Sequence, residues 1–241
     1  MGVVAVSIRA VFFDLGGTLF SFASLEGIFR EALGGVAQEH GLAASGDEVR
    51  QAYRASMMTA IAERVNQPYY LHGELFAAAH TGMLEQLGVP AAEGAGSILA
   101  AGPQRVGLDG VKPREGTREV LEQLRAAGLQ LSIVSNIDDD QFEAIWSAIG
   151  LEDCFDAITT SEAARSCKPH PGIFDVALGK AGVAAEAVAF VGDSLHHDVA
   201  GANAAGMRSI WLTDEEPAPD ATHVANHVIR DLRELPGLLL G

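Results

Sequence analysis

Five short apolar runs constrain this chain more than any other feature: Ala10–Phe13, Leu129–Val134, Ala157–Thr160, Ala187–Val191 and Arg208–Leu212. Each is nearly continuous in hydrophobicity or rich in β-branched residues. Strands of that kind are covered on both faces, as in a parallel sheet between helical layers. Helical patterns separate the last four. Thr117–Ala127 ends at Gly128 and places Val120, Leu121 and Leu124 on one face. Asp138 and Gln141 read as a capping box before Phe142, Ile145, Trp146 and Ile149, with Gly150 as the stop. A further helix is expected from about Pro171 to Ala181, and another ends at Gly206. This alternation predicts an α/β fold built on a doubly wound parallel sheet.

The stretch from Phe20 to Arg105 has no convincing strand pattern. Ser45 and Glu48 form a capping box ahead of Val49, Ala52, Tyr53, Met57, Ile61 and Val65, which recur at helical spacing. Asn66-Gln67-Pro68 breaks that helix, and a second pattern covers about Leu71 to Leu87. The expected organisation is an α/β core of residues 1–19 and 106–241, with residues 20–105 inserted after the first strand as a helical cap. The alternative is a helical layer of the core itself. Glu215–Pro219 reads as a surface loop.

Composition narrows the partners. A chain of 241 residues with 48% apolar content can bury a sizeable core. Its net charge of −16 repels nucleic-acid backbones, so no nucleic-acid partner is expected. The same charge repels anionic small molecules unless the site supplies positive charge, and a metal ion is one source. Two cysteines, Cys154 and Cys167, are too few for a disulfide framework and read as reduced thiols. The N-terminal Met1–Val6 faintly resembles a signal peptide but lacks a basic flank, and Arg9 and Asp14 interrupt the run. No apolar stretch reaches the roughly 20 residues of a membrane span. A soluble, cytoplasmic protein with no membrane partner is the expectation.

Chemistry-bearing residues fall at four predicted strand ends. Asp14 follows the first strand, and Ser135-Asn136 follows Ile133-Val134. Lys168-Pro169 comes after the third strand and just before a helix, and Gly192-Asp193-Ser194 follows Phe190-Val191, with Asp198 beyond it. Loops after parallel strands converge on one edge of the sheet, so these groups can share a pocket. Each also has an ordinary reading: a turn, a helix cap or a surface charge.

In joint order these segments resemble the haloacid dehalogenase-like (HAD) hydrolase superfamily. The matching residues are Phe13-Asp14-Leu15-x-Gly17-Thr18-Leu19, Ile133-Val134-Ser135-Asn136, Cys167-Lys168-Pro169-x-Pro171-x-Ile173-Phe174, and Val191-Gly192-Asp193-Ser194 with Asp198 and Gly201-Ala202. The likeness covers residues 9–19 and about 106–214, while the insert matches only by position, length and helicity. It implies a Rossmann-like core and a Mg²⁺-dependent phosphatase acting on a small phosphorylated metabolite. Asp14 would be the nucleophile, forming an aspartyl-phosphate. Asp14, the Gly16 carbonyl and Asp193 would hold Mg²⁺, with Asp198 orienting its ligands or waters. Ser135, Thr18 and Asn136 would contact the substrate, and Lys168 would offset negative charge between Asp14 and the phosphate.

Gly16 departs from the phosphatase pattern, which has a second Asp two residues after the nucleophile to move protons. Loss of a general acid/base typically costs ~10²–10⁴ in rate. Glu26, His72 and Asp138 are candidate substitutes. Two other readings stay open: a catalytically silent member that binds a phospho-ligand or protein, and a haloacid dehalogenase, which needs neither metal nor second acid. A phosphonate-cleaving reading needs a cap lysine, and no lysine precedes Lys112. A phosphomutase is disfavoured without the second acid. His196-His197 could suggest a transition-metal site, but the hard oxygen ligands nearby favour a solvated helical turn.

Overall fold

The computed structural model describes residues 7–90, 111–216 and 224–241. Six parallel strands form a sheet in the order β3-β2-β1-β4-β5-β6. They are β1 (Ala10–Phe13), β2 (Gln130–Ser135), β3 (Ala157–Thr160), β4 (Val188–Gly192), β5 (Arg208–Leu212) and β6 (His227–Ile229). The five expected strands are all present, shifted by at most a residue. β6 was not expected: three residues at a sheet edge carry too little apolar signal to stand out.

Strand alternation explains the two-layer burial. Val11 and Phe13 of β1, with Ala189 and Val191 of β4, face a cluster that includes Leu121 and Leu124 of α4 (Thr117–Ala126) and Phe142 and Trp146 of α5 (Asp139–Ile149). Ala10, Phe12, Val188 and Phe190 face the other side, against Ile173, Phe174 and Ala177 of α6 (Pro171–Ala181). Burial on both faces is why the strands read as continuous apolar runs.

Among the described residues, four α-helices lie between β1 and β2 in the chain: α1 (Glu26–Glu39), α2 (Gly46–Arg64), α3 (His72–Gln86) and α4. The Ser45–Glu48 capping box forms as expected. α2 and α3 pack closely enough that a Cβ on Gly82 would sit 3.0 Å from Ser56 Oγ. Val49 and Ala52 are buried with Leu33, Met83 and Leu84, whereas Met57, Ile61 and Val65 of the same stripe line a cavity, Met57 also packing against Ala60 and Leu75.

The Asp138–Gln141 capping box does not form. Asp138 is the N-cap of α5 without a side-chain capping bond. Its carboxylate instead accepts the His72 and Gly73 backbone N–H groups, at 2.8 and 2.6 Å. Those are orphan donors at the start of α3, so the acid caps a helix far from it in sequence. Glu215 and Glu216 are exposed as expected of a loop. The rest of that loop, the start of the N-terminal run and residues 91–105 of the expected cap lie outside the described residues.

Candidate active site

Three adjacent strands deliver side chains to one place. β2 ends with Ser135, Asp14 follows β1, and Asp193 follows β4. The chain's strand order reverses at β1, and such a point opens a crevice at the carboxyl edge of a parallel sheet. Lys168 arrives from the loop between a one-turn helix, Ser161–Ala164, and α6. That short helix intervenes between the third strand and the lysine, which the sequence reading did not foresee.

Lys168 organises the charges. Its Nζ donates to Asp14 Oδ1 at 2.5 Å and to Asp198 Oδ1 at 2.7 Å. Ser135 Oγ donates to the same Asp14 oxygen at 3.1 Å, and the Ser194 N–H donates to Asp198 Oδ2 at 2.9 Å. Asp14, Lys168 and Asp198 are all buried. One carboxylate oxygen from each of Asp14, Asp193 and Asp198 lies within 4.8 Å of the others.

That crowding shifts the protonation equilibria. Burial raises the Asp14 pKa and Asp198 adds to it, while Lys168 pulls the other way. Asp193 is pushed up to about 7, first by burial and then by the charges on Asp14 and Asp198. Burial disfavours the Lys168 ammonium, but the two aspartates outweigh it and hold the pKa above the ordinary value. Three acids competing for one ammonium leave a surplus of negative charge, the condition that draws a cation.

Glycines make the approach possible. Gly17 adopts φ +84°, and a Cβ there would run into the Asp193 carboxylate. At Gly192 a Cβ would collide with the Asp198 carboxyl group. Gly16 differs: its Cβ would press only on the Phe22 ring, at 3.0 Å, with the buried Phe20 ring in ordinary contact at 3.5 Å, and Phe22 is exposed.

Other expected residues fall differently. Asn136 lines the cavity but spends its amide on Lys168, accepting from the Lys168 N–H at 2.7 Å and donating to its carbonyl at 3.0 Å. Thr18 is fully buried, its Oγ1 lacks a hydrogen-bond partner, and it is not part of the cavity wall. Glu26 is exposed, pairs with Arg30 at 3.4 Å and is also off the wall. His72 does line the cavity, with Nδ1 3.7 Å from Asp138 Oδ1. Burial raises the Asp138 pKa, but the His72 ring and the Gly73 and His72 N–H groups outweigh it and bring it below the ordinary value. His196 is exposed, as a solvated turn requires, whereas His197 is half-buried on the cavity wall and only partly solvated. Its pKa falls to about 4 through burial, then Lys168 and His196.

Above these groups opens a cavity of about 920 Å³. Asp14, Ser135, Lys168, Asp193 and Asp198 form its floor, and α1, α2, α3 and α5 contribute walls. Two contributors escaped the sequence reading. Trp211, at the same edge of β5, donates its indole N–H to the Asp193 carbonyl at 2.8 Å and steadies that loop. Phe22 lies in a 3₁₀ turn, Phe22–Leu25, that no motif marked.

In fold, then, the chain is a doubly wound, Rossmann-like α/β protein with its acids at the switch point of the sheet. It belongs to the haloacid dehalogenase-like hydrolase family, whose sequence profile matches residues 8–206. It spans about half the length of several curated relatives it matches. Haloacid dehalogenase-like hydrolase domain-containing protein 3 of Bos taurus is 42% identical over 107 residues, 44% of this chain and 42% of that protein. Glyceraldehyde 3-phosphate phosphatase of Methanothermobacter thermautotrophicus is 27% identical over 241 residues, 96% of this chain and 100% of the relative. Among solved structures, a HAD phosphatase from Thermococcus onnurineus is 25% identical with a TM-score of 0.71, covering 96% of this chain and 98% of that one. A 2-haloacid dehalogenase from Pseudomonas syringae shares the fold too, at 26% identity and a TM-score of 0.67 over 97% of this chain and 98% of its own.

Proposed function

We propose that the protein is a Mg²⁺-dependent phosphatase that hydrolyses a small phosphorylated substrate through a phosphoryl group carried on Asp14. The observation that carries this reading is the trio of Asp14 and Asp198, both buried, and the half-buried Asp193, gathered beside Lys168. The donor set fits the ion: hard carboxylate oxygens suit Mg²⁺. Asp14, Asp193 and the Gly16 carbonyl would hold it, and Asp198, already fixed by Lys168 and the Ser194 N–H, would orient ligands or waters. When bound, Mg²⁺ neutralises charge on the phosphoryl oxygens.

The chain's own groups do the rest. Ser135 and Lys168 both donate to Asp14 Oδ1, which fixes the plane of the nucleophilic carboxylate. Asp14 attacks phosphorus, and the bond from phosphorus to the ester oxygen breaks. The leaving oxygen takes its proton from water, because Gly16 has none to give. Water then attacks phosphorus, the bond to Asp14 breaks, and inorganic phosphate and a free carboxylate remain. Lys168 offsets the repulsion between Asp14 and the incoming phosphate throughout. The described part of the insert, α1–α3, would act as a cap, walling the cavity and limiting its access to water. Relatives named as phosphatases, one matched along its full length, support the reading.

The test is hydrolysis of an activated aryl phosphate by the parent and Asp14→Asn, with Mg²⁺ and with EDTA. Metal-dependent turnover that Asp14→Asn abolishes supports the proposal, and equal activity of the two proteins refutes it. If both are inactive while Gly16→Asp gains turnover, the natural protein is a silent binder. One observation favours a second reading: an apolar cavity suits a 2-haloacid, whose halide Asp14 could displace without a proton donor. Against it, Asp193 and Asp198 would repel the acid's carboxylate. Metal-independent chloride release from a 2-haloacid would decide for that alternative.

A further inference from the structure

The cavity above the acids is apolar to a degree that phosphate chemistry does not require. Phe22, Phe29, Met57, Ile61, Phe76 and Ile145 come to it from five separate elements. Of the seven large apolar side chains left exposed on the described surface, three, Phe22, Ile61 and Val65, line this one cavity. A face kept apolar at that cost in solvation marks a contact surface for a ligand. The α2 stripe shows the same trend: Val49 and Ala52 are buried in helix packing, Met57 both packs against Ala60 and Leu75 and lines the cavity, and Ile61 and the capping Val65 line the cavity while partly exposed.

Charge on the walls points the same way. Among the described residues Lys168 is the only Lys or Arg that lines the cavity, and two carboxylates already share it. The other polar lining groups away from the floor are amides, a Tyr and histidines, including Asn66, Gln67, Gln141 and His72. A second phosphate or carboxylate on the substrate would lose its water there and gain no cation in return. The chain's net charge of −16 adds to that penalty.

We infer that the substrate is a phosphate monoester of a bulky, uncharged, apolar alcohol or phenol, and that the cavity selects against a second anionic group. This rests on the phosphatase reading of the same site. A space of about 920 Å³ accommodates a ligand of drug-like size, well beyond a three-carbon sugar phosphate. Phenols also leave as stabilised anions, which suits a site whose Gly16 supplies no proton. Phe22, on the cavity wall, is the ring nearest that glycine.

The experiment uses the full chain with Mg²⁺ and a series of 4-alkylphenyl phosphates from methyl to hexyl. Leaving-group acidity stays nearly constant along it while apolar area grows. A matched series ends in a carboxylate. Calorimetric binding of the corresponding non-hydrolysable phosphonates is measured alongside. We expect kcat/KM and affinity to rise roughly fourfold per methylene until the cavity is full, the ratio expected for complete burial of a CH₂. The terminal carboxylate should cost at least about tenfold relative to the neutral analogue of equal length. Ile61→Lys, at a partly exposed wall position, should narrow or reverse that preference. Turnover with no dependence on chain length overturns the inference while leaving the phosphatase reading intact. Absence of turnover with length-dependent phosphonate binding overturns the phosphatase reading and upholds the apolar recognition. Neither turnover nor length-dependent binding overturns both.

Discussion

Lys168→Met removes the charge that holds the site together while keeping an unbranched apolar side chain. The lysine side chain is 2% exposed, between carboxylates that are 9% and 2% exposed. Removing one partner of a buried ion pair leaves uncompensated charge and costs about 3–5 kcal/mol. Here two acids lose their partner at once, so the upper part of that range applies. Protonation limits the loss. Burial already raises the Asp14 pKa, and Lys168 is what lowers it, so in the variant it climbs further. An acid whose folded pKa lies above its unfolded value stabilises the fold below the unfolded pKa and loses that contribution as pH rises through the folded one. The variant's deficit is therefore largest near pH 8 and shrinks toward pH 5. For a chain of this size 1 kcal/mol corresponds to about 2–4 °C in Tm, so about 4–5 kcal/mol gives a fall of roughly 8–20 °C at pH 8. Thermal unfolding followed by circular dichroism in EDTA, at pH 5.5 and pH 8, measures it for the parent, Lys168→Met, Asp198→Asn and the double variant. Asp198→Asn should cost less in the Lys168→Met background than in the parent, by about 1–3 kcal/mol, because it removes one stranded charge. A Lys168→Met protein melting within 2 °C of the parent at both pH values would refute the reasoning, as would strict additivity of the two substitutions.

Gly16→Asp should raise kcat for alkyl phosphates by roughly 10- to 1,000-fold and for activated aryl phosphates by less than about threefold, since only poor leaving groups need an acid. The exposed Phe22 ring can give way to the new side chain, and equal gains with both substrate classes in steady-state assays would contradict that account. With Asp193 pushed up to about 7, the metal-free protein should lose up to roughly 4 kcal/mol as pH rises from about 4 through 7. The rise in Tm on adding Mg²⁺ should accordingly grow from pH 5 to pH 8 and vanish in Asp193→Asn; a pH-independent Mg²⁺ shift argues against the cluster as the metal site. Asp138→Ala strands the two N–H donors at the start of α3 and should cost about 2–4 kcal/mol by chemical denaturation, whereas Gln141→Ala, at the capping-box position that does not form, should cost less than about 0.5 kcal/mol.

The fold was legible because its strands are covered on both faces. Phe12 and Phe13 point into opposite clusters, so both must be apolar, and the run stands out with no knowledge of the partners. The site residues were legible for a related reason: Asp14, Ser135 and Asp193 need no loop to meet, since neighbouring strands end beside one another. What escaped was non-local. Asp138 carries the local signature of a cap for its own helix, and nothing in its neighbours along the chain reveals that α3 supplies better donors 66 residues away. Thr18 matches a motif position but is turned into the core. The cavity was hidden because Met57 and Ile61 fit a packing stripe as well as they fit a wall. Periodicity reports which face of a helix is apolar, not what covers it.

Gly16 and the apolar walls are two sides of one chemical economy. A site that moves protons on a leaving group needs a polar side chain next to the nucleophile and water or hydrogen bonds to tune it. Here that position carries no side chain, and the nearest neighbour is an aromatic ring. Apolar walls lower the local dielectric, which strengthens the attraction of Lys168 and a bound cation for the phosphoryl group. Phosphoryl transfer depends chiefly on such positioning and charge, and only secondarily on proton transfer when the leaving oxygen is stable as an anion. Under the proposed function the absent acid and the greasy cavity therefore select the same esters: those whose leaving group is large, uncharged and already willing to depart.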